Sequence, residues 1–346
     1  MWNVVRRMDR RTWIPSRKYG RLGVTGAVAV LAVAAILLVS WILDWRGASA
    51  ADRGIAELAK SAIGDPVDLV TEAARTNRIV FISDIHSSTA VKQFAARAIG
   101  QIVERSGLDA VVLEIGTDLQ PYIDGYLDRA PEDASVLLTH GRTLREPGAA
   151  TRAYLELYRT VWRLNQELGP DQRIRIVAAD LPGWPRAGAL SPSESARRMA
   201  EREEHMLQTV DALLATMPGA RLLVFMTGLH VLKSGNVTFQ TGGTAPVIVT
   251  PLAARLAQSE KVYSLLVDAP AAAVTGRDVA PYLGTRVAGV LEEAGVRRRL
   301  GLRVTSAFDH LRQPIRETRT PGIEIGINPR DYRLRDVADG YIHLGR

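Results

Sequence analysis

The stretch Arg78-Ile79-Val80-Phe81-Ile82-Ser83-Asp84-Ile85-His86-Ser87-Ser88 decides how the rest of the chain is read. Its four successive apolar residues, mostly β-branched, predict a strand buried on both faces, as in a parallel sheet. The run stops at small polar residues holding an acid and an imidazole two positions apart. In an open α/β sheet, ligands bind at the carboxyl ends of strands. Three later strands are expected to end in the same way, at Glu114, Asp180 and His230. The expectation is that these four ends meet in one pocket.

Moving outward, Thr89 to Ser106 carries Val91, Phe94, Ala98, Ile99 and Ile102 on one helical face, and Gly107 ends it. Ala110-Val111-Val112-Leu113-Glu114-Ile115 is a second buried strand, so the unit is β–α–β with a right-handed crossover. Residues 120–168 are helical and polar-rich, with Tyr122, Tyr126, Tyr154, Tyr158 and Trp162, and read as an inserted helical lid. A third strand, over 173–181, ends at Asp180, followed by a turn-rich loop at 182–190. Ser191-Pro192-Ser193-Glu194 has capping-box spacing and opens a helix that Pro218-Gly219 stops. Leu222–Met226 is a fourth strand, running into Thr227-Gly228-Leu229-His230-Val231, with Gly-containing loops at 235–238 and 241–244 beyond it. Helices at 251–258, 279–283 and 287–294 and strands at 262–267 and 341–344 complete the pattern. Alternation throughout predicts an α/β domain over 77–346 with a mainly parallel sheet flanked by helices.

Residues 22–43 contain no charge and span about 33 Å as a helix, the thickness of a bilayer's hydrocarbon core. Trp2 and Trp13 precede them and Trp41 and Trp45 close them, as interfacial aromatics do. The formal net charge is +7, and residues 1–21 hold +6 of it. That basic tail belongs in the cytosol by the positive-inside rule, which makes 22–43 a single-pass signal-anchor at the cell membrane. Residues 44–76 then form a juxtamembrane helical linker, and the domain is extracytoplasmic. Ala48-Ser49-Ala50 also resembles a signal-peptidase site, which leaves cleavage as the alternative. With +1 outside the tail, the domain gives no electrostatic reason to bind nucleic acid. The absence of cysteine rules out disulfides, thiolate metal sites and a cysteine nucleophile.

The chemistry-bearing residues are His86, Glu114 and His230, with Asp84 and Asp180 beside them. A carboxylate at the edge of a buried strand is desolvated, and its pKa rises unless a cation or hydrogen bond opposes this. An imidazole beside it would do so, and would gain a fixed tautomer and a free base nitrogen in return.

Taken in order, His86, Glu114, Asp180, Arg197-Arg198-Met199-Ala200, Gly228-Leu229-His230-Val231 and Asp339-Gly340-Tyr341-Ile342 resemble the erythromycin esterase/ChaN-like/TIKI superfamily over roughly 76–346. That family opens with Gly-Glu-x-His or Gly-Glu-x-x-His; here Ser83 replaces the Gly and Asp84 the Glu. The resemblance implies an ester- or lactone-type hydrolase that needs no cofactor. In it His86 activates water, Glu114 holds and polarises His86, and His230 steadies the oxyanion or protonates the leaving group. Asp84, Asp180 and Tyr122 would contact the small-molecule substrate under cover of the 120–168 helices and the 182–190 loop. The superfamily also contains haem-binding lipoproteins and metal-dependent peptidases. A haem or hydrophobic-ligand binding protein, with Tyr122 or Tyr126 as axial ligand, is therefore the alternative of another class. Ile82-Ser83-Asp84-Ile85-His86 further resembles the opening of calcineurin-like metallophosphoesterases, which would make Asp84, His86, Glu114 and His230 ligands of a divalent metal. No Gly-x-Ser-x-Gly elbow occurs.

Overall fold

The structure, a computed structural model, describes residues 30, 32–39, 52–62, 64–86, 88–143, 152–184, 190–241, 245–269, 285–305, 315–317, 323–327 and 334–345. Contacts divide the chain into Met1–Ser49 and Ala50–Arg346. In the first unit, residue 30 and residues 32–39 are helical, with Val30, Ile36 and Leu37 among the exposed apolar side chains. The rest of the expected 22–43 span lies outside the described residues. No helix among the described residues is long and apolar enough to cross a membrane.

In the second unit residues 52–60 are helical, and α1 (Pro66–Thr76) starts where the Asp65 side chain accepts from Val67 N and Pro66 takes the first turn. β1 (Ile79–Asp84) follows and is buried throughout. α2 (Thr89–Ser106) is capped by the Ser88 hydroxyl and closed by Gly107, whose φ of 78° suits glycine. Then come β2 (Ala110–Gly116), α3 (Gln120–Leu127), α4 (Ser135–Thr143), α5 (Arg152–Glu167) and β3 (Arg175–Asp180). α6 (Pro192–Thr216) has the expected capping box between Ser191 and Glu194, and β4 (Leu222–Thr227) follows it. The remainder is β5 (Val237–Thr241), β6 (Val247–Val249), α7 (Leu252–Leu256), β7 (Val262–Asp268), α8 (Thr285–Glu293), β8 (Leu300–Arg303), β9 (Ile315–Glu317), β10 (Ile323–Ile327), α9 (Leu334–Val337) and β11 (Gly340–His343). The helix expected at 279–283 falls outside the described residues.

The main sheet has seven strands in the order β3-β2-β4-β1-β7-β11-β8. All but β8 are parallel to their neighbours, so six carboxyl ends share one edge. The chain leaves β1, skips one place to β2, steps out to β3, and returns to set β4 in the gap. Alternate residues feed two cores. Ile79, Phe81, Val112 and Val224 pack beneath α6, α7 and α8. Val80, Ile82, Leu113 and Phe225 pack beneath α1, α2 and α5. The 120–168 insertion is therefore a helical layer on the sheet's face, with Tyr154, Tyr158 and Val161 in that second core. Alternation along the sequence does not reveal a second, four-stranded sheet, β6-β5-β10-β9, in which each strand is antiparallel to its neighbours. Its β5 takes up Val237 and Thr238 from the stretch read as a Gly-containing loop.

Candidate active site

β1 delivers Asp84 to the carboxyl edge with its side chain wholly out of solvent. A bare carboxylate there would be costly, so partners surround it. Lys92, from the first turn of α2, places Nζ 2.6 Å from Asp84 Oδ1. The same ammonium donates to the carbonyls of Ile85 at 2.5 Å and His86 at 2.7 Å, so the strand–helix turn wraps around it. The Tyr154 hydroxyl, from α5, donates to Asp84 Oδ2 at 2.6 Å. His86 Nδ1 lies 3.0 Å from the same oxygen. Burial pushes the Asp84 carboxyl up, but Lys92 and His86 outweigh it and hold it below its ordinary value. The carboxylate is thus ionised, and His86 Nδ1 must be the donor. Burial pulls His86 down, but the Asp84 hydrogen bond and the charges of Glu114 and Asp84 outweigh that and raise it. The lone pair is left on Nε2 of a side chain that is 39% exposed. Burial and Asp84 push Tyr154 well above its ordinary value, so it remains a donor.

A second cluster joins the ends of β2, β3 and β4. Arg202, on α6, donates through Nε to Asp180 Oδ1 at 2.9 Å, and through NH2 to Asp180 Oδ2 at 2.6 Å and Glu114 Oε1 at 2.5 Å. The Trp184 ring, in the 182–190 loop, lies 4.9 Å from the guanidinium. The other oxygen of Glu114 accepts from Thr227 N at 2.7 Å and Thr227 Oγ1 at 2.8 Å. His230 sits in the turn after β4, fixed by its own N–H on Thr227 O and by Ala253 N on its carbonyl. Its Nδ1 lies 2.5 Å from Glu203 Oε1 and its Nε2 3.2 Å from Glu114 Oε1. Burial lowers the His230 pKa, but the two carboxylates overcome this and push it up to about 10. His230 is therefore an imidazolium at neutral pH. Burial likewise raises Glu114, and His230 and Arg202 drive it well below its ordinary value.

The expected strand-end residues thus gather into two neighbouring groups coupled by charge. The pairing differs from expectation in one respect: the carboxylate bonded to His86 is Asp84, whereas Glu114 is held by Arg202, Thr227 and His230. Asp180 serves Arg202 and the Leu181 N–H. Tyr122 stacks on His140, ring centroids 3.7 Å apart, and Tyr154 is the tyrosine that reaches Asp84. Residues 185–189 of the cover loop lie outside the described residues. Lys92, Tyr154, Arg202, Glu203 and Thr227 were not singled out as site residues. Arg202 and Glu203 sit among other charged residues of a helix, Tyr154 lies on another helix and Thr227 at a strand's last position; Lys92 alone carries a signal, a cation one turn into the helix after an Asp-x-His strand end.

The donor set does not fit a divalent metal. Asp84 and Glu114 spend their oxygens on Lys92, Tyr154, Arg202, Thr227 and the imidazoles, and His230 turns both ring nitrogens to carboxylates. Among the described residues, no three His, Asp or Glu side chains are placed to hold a metal ion. The tyrosines named as haem ligands do not fit that role either: Tyr126 is 2% exposed and donates to Glu132, and Tyr122 packs its ring on His140.

No protein-family model and no curated protein sequence matches the chain. Solved structures do. A variant of the erythromycin esterase EreC in its open conformation matches with a TM-score of 0.52 at 11% identity, over 80% of this chain and 92% of that one. A succinoglycan biosynthesis protein matches with a TM-score of 0.56 at 10% identity, over 85% and 97%. ChaN of Campylobacter jejuni, solved with cofacial haem, reaches only 0.31 at 11% identity, over 58% and 85%. At these identities the first two likenesses are ones of fold, and that is the fold to which the order of motifs pointed.

Proposed function

We propose that the protein is a hydrolase of the ester or lactone type in which His86 activates water. One observation carries this reading: an imidazole at the carboxyl edge of the sheet, 39% exposed, with Nδ1 fixed on a buried carboxylate that Lys92 and Tyr154 also hold. Water attacks the substrate carbonyl and yields its proton to Nε2. The tetrahedral intermediate then collapses, and the same proton passes to the departing alkoxide, giving an acid and an alcohol. Lys92, Arg202 and His230 stand against the carboxylates Asp84, Glu114, Asp180 and Glu203, one negative charge in excess. That excess is neutralised when His86 takes up the proton, which favours its work as a base. His230, buried and already charged, acts as a fixed cation that keeps Glu114 ionised.

The test is turnover of activated esters, lactones and phosphoesters by the full-length protein in detergent, with and without chelator. Ester hydrolysis is expected to survive the chelator and to fall by about 10²–10⁴ in His86→Ala. Undiminished turnover in His86→Ala, or phosphoester cleavage abolished by the chelator, would sink the reading.

We further place this domain on the outer side of the membrane, anchored by residues 22–43. The support is the uncharged stretch and the +6 tail before it. A periplasmic reporter enzyme fused after residue 51 is expected to be active; an inactive fusion would reverse the topology.

A further inference from the structure

A second pairing of the same two residue types lies two strands from β1, and the proposed hydrolytic step leaves it unused. β7 ends at Asp268 and β11 at His343; the two are register partners, and His343 Nδ1 lies 2.9 Å from Asp268 Oδ2. Both are buried, at 7% and 1% exposure. Nε2 of His343 is a buried atom with no hydrogen-bond partner. A carboxylate on Nδ1 keeps the proton there and leaves the lone pair on Nε2. Buried acceptors are nearly always satisfied, so a bare one at the edge where ligands bind awaits a donor from outside the chain.

Its position relates it to His86. Carrying the β1–β7 register three residues past Ile82 and Leu265 sets Asp268 and His343 level with Ile85, between Asp84 and His86. Two strand spacings separate β1 from β11, about 10 Å, which one small molecule bridges. His343 follows Tyr341 on the face beneath α6, whereas Asp84 follows Val80 and Ile82 on the other. A ligand touching both dyads would lie across the top of the edge.

We propose that Asp268 and His343 form a second binding dyad, at which His343 Nε2 accepts a hydrogen bond from a hydroxyl of the ligand. Resting on ester hydrolysis at His86, this names the substrate class as esters of polyhydroxy alcohols, whose free hydroxyl reaches Nε2. The atom is closed to bulk water here, so the bond forms where water does not compete. An ester without that hydroxyl leaves Nε2 bare, and the site discriminates against it for that reason.

The test titrates the full-length protein, carrying isotope-labelled histidine, with glycerol, and assays wild type, His343→Leu and His343→Gln on glyceryl monobutyrate and ethyl butyrate. The expected spectrum shows the proton on Nδ1, and Nε2 shifting saturably with glycerol. His343→Leu is expected to raise KM for the glyceryl ester about tenfold while sparing ethyl butyrate, and the Gln oxygen to restore part of the loss. A protonated Nε2, one indifferent to glycerol, or equal losses on both esters would overturn the proposal and leave a structural pair. If wild type turns over neither ester, the glycerol titration alone decides the site, and the hydrolase reading stands or falls on the activated esters and lactones.

Discussion

Asp84 binds a lysine, a tyrosine and an imidazole at once. Its negative charge helps raise the His86 pKa above the ordinary 6.5, so kcat/KM is expected to climb with pH through a midpoint above that value. Asp84→Asn should move the midpoint down and cut kcat by about 10²–10⁴, because the tautomer is no longer enforced. An unmoved midpoint in the pH profile would show that Asp84 is not the partner. Arg202 is the corresponding tie of the second cluster. Arg202→Met leaves Asp180 and Glu114 buried without their cation and is expected to cost about 3–5 kcal/mol in denaturant titration. The sequence showed Asp84, His86, Glu114, Asp180 and His230, because each ends an apolar run and a strand end has one obvious edge. Arg202 and Glu203 were hidden in Ala200-Glu201-Arg202-Glu203-Glu204-His205, where charges crowd every face of the helix and burial leaves no pattern.

The elements nearest the site were legible for local reasons. β1, β2 and β4 are continuous apolar runs, α2 stops at a glycine, and α6 opens on a capping box in which the Ser191 hydroxyl and the Glu194 carboxylate serve each other's backbone. Ser191→Ala is expected to cost about 1 kcal/mol, read as a lowered melting temperature. The second sheet was illegible because β6 and β9 are three residues each, too short to show alternation, and β5 and β10 pair across most of the C-terminal third. β8 was missed for the same reason, being four residues long. Just past β11, Gly345 has φ 80°, and a Cβ there would stand 2.7 Å from the Arg297 carbonyl oxygen. Gly345→Ala should therefore destabilise by about 1–3 kcal/mol, and an unchanged melting curve would show that this contact can relax.

For the whole molecule, the two buried ions set opposite limits on stability. His230 is raised from 6.5 to about 10, so its contribution is complete below 6.5 and lost as pH rises toward 10. Glu114 is depressed, so its contribution is present above the ordinary 4.5 and lost as pH falls below it. Thermal melts are expected to peak between those values, and Glu203→Gln should flatten the alkaline limb. Catalysis by neutral His86 improves on that same limb, so activity and stability diverge as pH rises. Among the described residues β1 pairs only with β4 and β7, so its first partner emerges about 140 residues after it. Until then a strand with four successive apolar residues has two open edges and nothing to close them. A nascent chain of this protein therefore depends on being kept from its neighbours during synthesis, and fragments ending before β4 should aggregate.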